Sequence, residues 1–171
     1  MKAKEAQSSY SSLIVAAKIN GEIRDIQTPV SDSDTIEFVE INSSQGWMIY
    51  RRSVLFLLIT SLNQIEKNAE VIAKFTVNKG LYCEIKLPNR TIDASFIQEI
   101  DCQMRKMIAL NLPIVKHYIP RQDAIDLFQK LGRNGKVNLL SALSKPLISI
   151  YTCAEYSDYL YGPMLYETKE L

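Results

Sequence analysis

The dipeptide Asn20-Gly21, set between the apolar run 13–19 and the alternating run 22–26, constrains the fold more than any other feature of this chain. A type I′ hairpin turn needs positive φ at both positions, which Asn and Gly accept with least strain, so the two runs are expected to pair antiparallel. A further strand is expected at 35–41, where Ile36, Phe38 and Val39 stand among acidic residues. The first forty-odd residues therefore predict a small antiparallel sheet.

Asn42-Ser43-Ser44-Gln45-Gly46 has loop composition and leads into a helix expected from about Met48 to Glu66, which holds the apolar run 54–59. Val71, Ala73, Phe75 and Val77 alternate with Ile72, Lys74, Thr76 and Asn78, and alternation resumes at 81–86 after Asn78-Lys79-Gly80. That pattern reads as a hairpin with one buried face. Thr91 or Asp93 can cap a helix whose apolar positions Phe96, Ile97, Ile100, Met104, Met107 and Ile108 recur at helical spacing until Asn111-Leu112-Pro113. A strand at 114–119, helices at 121–128 and 137–143, and a strand at 147–151 complete the series. Hairpins mixed with helices, and few parallel crossovers, predict an α+β fold.

A chain of 171 residues suffices for one full domain or two small ones. Its 20 Lys+Arg against 19 Asp+Glu give no broad basic field. Cys83, Cys102 and Cys153 are odd in number and widely spaced, which suggests neither a disulfide framework nor a zinc knuckle, so reduced thiols are expected. The longest apolar run is far short of a bilayer span, and no basic-apolar-small leader stands at the amino end. These features predict a cytoplasmic protein without a membrane partner.

Several segments carry a resemblance. "VAAKINGEIRDIQTPVSDSDTIEFVE" resembles the C-terminal half of a TGS domain, a ubiquitin-like module, with its first hairpin missing. "RTIDASFIQEIDCQMRKMIALNLPIVKHYIPRQDAIDLFQKLGRNGKVNLL" is similar throughout to the second N-terminal domain of threonyl-tRNA synthetase, where a His-x-x-x-His helix and a Cys-x-x-x-His segment converge on an editing cleft. The resemblance implies a partial TGS unit at 1–44 and, at 45–171, a two-layer α/β sandwich like that editing domain. It places Arg52, Phe56, Leu160 and Met164 at the four reactive positions.

None of those four side chains moves a proton or attacks a carbonyl at neutral pH. Phe and Leu lack lone pairs, Met is a soft thioether, and Arg stays protonated. The resemblance thus implies a vacated cleft with no catalytic residue and no metal. Of its polar lining, Lys136 and Asp158 match in place and Tyr82 lies in the matching aromatic strand, so Arg52, Tyr82, Lys136 and Asp158 form the candidate ligand cleft. A competing reading makes Arg52, Lys136 and Asp158 a structural ion-pair group.

"GWMIYRRSVLFLL", "KGLYCEI" and "YSDYLYGPML" resemble the bacterial uridine kinase-like proteins, which carry this pair of regions without the His and Cys residues, ahead of a kinase domain. That resemblance implies a non-catalytic accessory region of a nucleoside kinase that phosphorylates uridine or a relative. The downstream kinase domain would be its partner, a nucleoside or nucleotide a possible ligand, and ATP and magnesium would be cofactors of the kinase alone. Both ends of the chain then look cut. The alternatives are an aminoacyl-tRNA hydrolase acting in trans and a free-standing TGS-type ligand- or RNA-binding module.

Other signals are weaker. His117, the single histidine, has no neighbouring carboxylate or cysteine in sequence. Gly132-Arg133-Asn134-Gly135-Lys136 lacks the spacing and the hydroxyl of a phosphate loop. Arg51, Arg52, Lys116, His117, Arg121, Lys130, Arg133 and Lys136 form either a basic strip for an RNA end or, the favoured reading, a solvated face. Tyr151, Tyr156, Tyr159, Tyr161 and Tyr166 offer stacking rings or the cover of a core edge.

Overall fold

The computed structural model describes residues 10–78, 80–88 and 90–171. The amino-terminal stretch 1–9, in which a secretion leader was sought and with which the TGS-like segment opens, lies outside the described residues, as does Lys79 of the expected hairpin turn. The chain is α+β and forms two compact units, Met1–Leu112 with Pro163–Leu171, and Pro113–Gly162.

In the first unit, β1 (Ile14–Ile19), β2 (Glu22–Asp25) and β3 (Ile36–Glu40) make an antiparallel sheet in the order β2-β1-β3. Asn20 and Gly21 have φ of 49° and 87°, the geometry expected of the turn between β1 and β2. One face of this sheet packs on helix α1 (Ser44–Ile65) through Val15, Ala16, Val39 and Ile49. Each large side chain buried there contributes roughly 1.5–3 kcal/mol.

The loop expected to run through Gly46 is shorter than its composition suggests, because Ser43 ends it. The Ser43 Oγ accepts from Gly46 N–H at 3.0 Å and donates to the Glu40 carbonyl at 2.6 Å, capping α1 and tying it to β3. Gly46 is therefore helical and presses on the strand end: a Cβ there would lie 2.0 Å from the Glu40 carbonyl oxygen. Further along, Ser53 and Thr60 sit in the buried face, yet their hydroxyls donate to the carbonyls of Ile49 and Phe56, four residues back.

The hairpin of β4 (Glu70–Val77) and β5 (Gly80–Lys86) follows. The expectation of one buried face along β4 holds only at its start. Val71 and Ile85 join Leu62, Phe96 and Ile100 in a core, whereas Ala73, Phe75 and Val77 are exposed. A register shift between Ala73 and Phe75 breaks the alternation on which the expectation rested. Asp93 caps α2 (Ala94–Ala109) by accepting from Phe96 N–H at 2.8 Å, and α2 buries Phe96, Ile100 and Met107. Asn111, with φ of 48°, ends the helical stretch.

The second unit is a sheet of β6 (Val115–Pro120), β7 (Leu147–Cys153) and β8 (Tyr156–Asp158), antiparallel in that order, with α3 (Arg121–Lys130) and α4 (Asn134–Ser141). Ala124, Phe128, Leu140, Ile148 and Ile150 are its core. The strand β8 was not anticipated, because three residues carry too little pattern to stand out. Among the described residues no helix is long and apolar enough to cross a membrane.

Gly46→Ala is expected to lower the unfolding free energy by about 2–3 kcal/mol, since backbone atoms on both sides must shift to admit the methyl group. Urea denaturation followed by circular dichroism measures it.

Candidate functional site

In the first unit, α1 and the returning segment Pro163–Leu171 carry three of the expected positions. Arg52, half-buried, donates from its guanidinium to the Pro163 carbonyl. Phe56, one turn further, is fully buried, and Met164 is 2 % exposed. Met164 N–H reaches Asp25 Oδ1 at 3.3 Å, and Leu165 N–H reaches the Ser53 Oγ at 2.8 Å. The chemistry of this place is that of packing and a fixed positive charge. Leu160, the fourth position, belongs to the second unit and is half-buried.

Tyr82 stands on β5, 48 % exposed, with its ring stacked on Phe75 at 4.9 Å between centroids and 15° between planes. The two residues are cross-strand partners, so the pairing register itself sets the stack.

Lys136 and Asp158 come together in the second unit. Lys136 Nζ lies 3.0 Å from Asp158 Oδ1 and donates to the Tyr159 carbonyl at 2.7 Å. The buried carboxylate also accepts from Tyr159 N–H at 2.7 Å and from the Tyr156 hydroxyl at 3.1 Å. Arg133 and Tyr156, expected only in a basic strip and as a stacking or covering ring, also belong to this group. Arg133 approaches Asp158 to 3.9 Å, donates to the Ser157 carbonyl at 3.2 Å and lies over the Tyr156 ring at 4.7 Å. The clue was its place three residues before Lys136 at the start of a helix, which sets both cations on one side. Burial, and then the Asp158 charge, push the Tyr156 hydroxyl well above its usual range, so it remains a donor.

The second unit also carries two lysines lying over aromatic rings. Lys116 Nζ is 5.3 Å from the Tyr118 ring centroid and 5.4 Å from that of Tyr151, while Lys145 Nζ is 5.9 Å from that of Tyr161. Tyr118 and Tyr161 are 60 % and 76 % exposed, so both rings face solvent. Tyr151, by contrast, is buried and donates to the Gly162 carbonyl at 2.8 Å. His117 is exposed on β6. Among the described residues, no three His, Cys, Asp or Glu side chains gather as metal ligands would.

No protein-family model matches the chain. Its curated relatives are aminoacyl-tRNA ligases. More narrowly, they are the threonine enzymes, the threonyl-tRNA synthetases: the chain is 29 % identical over 155 residues, 90 % of its length, to a threonine-tRNA ligase of Syntrophotalea carbinolica, of which it covers 24 %. It is 29 % identical over 149 residues, 86 % of its length, to threonine-tRNA ligase 1 of Bacillus subtilis, covering 23 %. For the Clostridioides difficile threonine-tRNA ligase the figures are 24 % identity over 170 residues, 99 % of this chain and 26 % of the relative. The chain thus spans about a quarter of the length of the curated relatives it matches.

These relatives overturn the uridine kinase-like reading. The accessory role in a nucleoside kinase falls, and so do the downstream kinase domain as partner and the preference for a nucleoside or nucleotide over tRNA. ATP and magnesium had been expected for that kinase alone. The reading failed because residues absent from a cleft report on lost chemistry; they carry no information about which domain is joined to it.

Asp158→Ala is expected to cost about 3 kcal/mol, because it leaves Lys136 and Arg133 half-buried without their carboxylate. Lys136→Met should cost less, since Tyr156 and Tyr159 still satisfy Asp158; urea midpoints of the two variants compare them. A pH series adds a second check. Burial pushes the Cys153 thiol from its usual 9.0 up to about 11. Between those values the unfolded thiol ionises and the folded one does not, so stability should be full below about pH 9 and decline as pH rises through 11. Cys153→Ala should flatten that decline.

Proposed function

We propose that this chain is a synthetase-related module that binds tRNA of the threonine class through its acceptor end and hydrolyses no aminoacyl ester. The observation that carries the reading is the alignment of 86–99 % of the chain with threonine-tRNA ligases. Residues 1–44 then correspond to the partial TGS unit and 45–171 to the editing-like region. Arg52, Phe56, Leu160 and Met164 occupy positions where hydrolysis needs a base, nucleophile or ligand, and supply none.

The lysine-tyrosine pairs support binding. Lys116 and Lys145 would neutralise phosphates, and the exposed rings of Tyr118 and Tyr161 would stack on unpaired bases. Lys136, already bonded to Asp158 and the Tyr159 carbonyl, and Arg52, bonded to the Pro163 carbonyl, act as supports in this reading. The proposed binding uses the chain's own side chains and calls for no cofactor.

Fluorescence anisotropy with a labelled threonine tRNA at several salt concentrations is the test. Binding should weaken with salt, and Lys116→Ala with Lys145→Ala should reduce the log-log salt slope by about two, one for each phosphate contact. Mischarged tRNA incubated with the protein should stay charged as long as in buffer alone. Binding insensitive to salt and to both substitutions, or enzymatic deacylation, overturns the proposal.

A further inference from the structure

Asparagine followed by glycine occurs at 20–21 and again at 134–135. The dipeptide carries a reaction of its own. The glycine nitrogen gives up its proton and bonds to the asparagine Cγ, the Cγ–Nδ2 bond breaks and ammonia leaves, and water then opens the five-membered imide. Opening at Cγ gives aspartate, and opening at the backbone carbonyl gives isoaspartate, whose main chain runs through the side chain. Glycine favours the first step because it has no Cβ to hinder the attacking nitrogen.

At 20–21 the fold opposes that reaction in two ways. Asn20 has φ of 49°, and in a left-handed turn the next nitrogen stands anti to the residue's own Cβ, so the ring closes only after the turn opens. The side chain is also tied away from Gly21. Its Nδ2 donates to Asp34 Oδ1 at 2.6 Å, and its Oδ1 accepts from Thr35 N–H at 2.9 Å. Asp34 is itself held, its Oδ2 accepting from Ser31 N–H at 2.7 Å and from the Ser31 hydroxyl at 2.9 Å. The Ser31 N–H first, then the Asn20 amide and the Ser31 hydroxyl, keep the Asp34 carboxyl below its ordinary range. Crowding plays no part: Asn20 is exposed, and a Cβ on Gly21 would meet nothing within 4 Å.

We propose that Asn20 is a latent self-modification site of this chain, at which deamidation proceeds from the opened turn and the tie to Asp34 sets how often the turn opens. The change runs one way. A carboxylate at position 20 replaces the amide donor with a second negative charge against Asp34, so the tie does not re-form. Isoaspartate, in addition, lengthens the backbone between Ile19 and Glu22, which are paired directly across the turn. Asn134-Gly135 opens α4 and makes none of these bonds to Asp34, so it serves as an internal reference for the same chemistry.

Incubation of the full chain at neutral pH and physiological temperature, followed by digestion and mass spectrometry of the peptides that carry residues 20 and 134, tests the proposal. Conversion of amide to acid is read from the mass gain, and isoaspartate from its own fragment ions. Asn20 should convert about tenfold more slowly in buffer than in concentrated urea, where the turn is undone. Asp34→Ala should speed Asn20 in buffer about fivefold and leave Asn134 unchanged, whereas Asp34→Asn, which keeps an acceptor oxygen, should fall between Asp34→Ala and the unaltered chain. Asn20 converting as fast in buffer as in urea, a rate at Asn20 indifferent to Asp34→Ala, or an equal acceleration of Asn134 overturns it.

Discussion

The first unit depends on the return of the chain after residue 162 and on the hydrogen bonds that receive it. Arg52, Ser53 and Asp25 hold the backbone at residues 163–165, and Leu165 fills the core between the sheet and α1. Tyr50 donates to the Leu171 carbonyl at 3.2 Å. Thr168, fully buried, accepts from Leu112 N–H at 2.8 Å and donates to the Met107 carbonyl at 2.7 Å. Each is a backbone group satisfied by a side chain; the bonds to Leu165 N–H and to the Met107 carbonyl are buried and the others part-buried. Without the Ser53 hydroxyl the buried Leu165 N–H would lose its acceptor.

Charges are handled differently in the second unit. There a buried carboxylate takes two cations, a hydroxyl and an amide, so that a group costly to bury is fully satisfied. Replacing such a group by apolar residues is often neutral in other proteins, so its presence is no measure of stability in itself. Its effect here is positional. It fixes the end of β8 against the start of α4, and so sets the course of the chain into Tyr159 and Leu160.

Much of this was legible in the sequence where local chemistry decides. Asn20-Gly21 gave the turn, Asp93 the helix cap, and the 3.6-residue spacing of Phe96, Ile100 and Met107 the buried face of α2. What escaped depends on neighbours distant in the chain. Gly46 read as linker because nothing local reveals that the Glu40 carbonyl lies against it. Phe75 read as core because a register shift cannot be seen in one strand alone. For the candidate site, the pairing of Lys136 with Asp158 was among the readings weighed, while Arg133 and the Tyr156 hydroxyl emerged only when β8 and α4 were seen side by side.

The bonds between Leu112 and Thr168 have a topological consequence. Thr168 N–H donates to the Leu112 carbonyl at 2.9 Å while its hydroxyl accepts from Leu112 N–H, so the two strands of chain leading to and from the second unit are clasped side by side. The second unit, Pro113–Gly162, is thus an insertion whose two ends are held by segments of the first. The loop-closure entropy of the inserted stretch is thereby met by bonds made within the first unit.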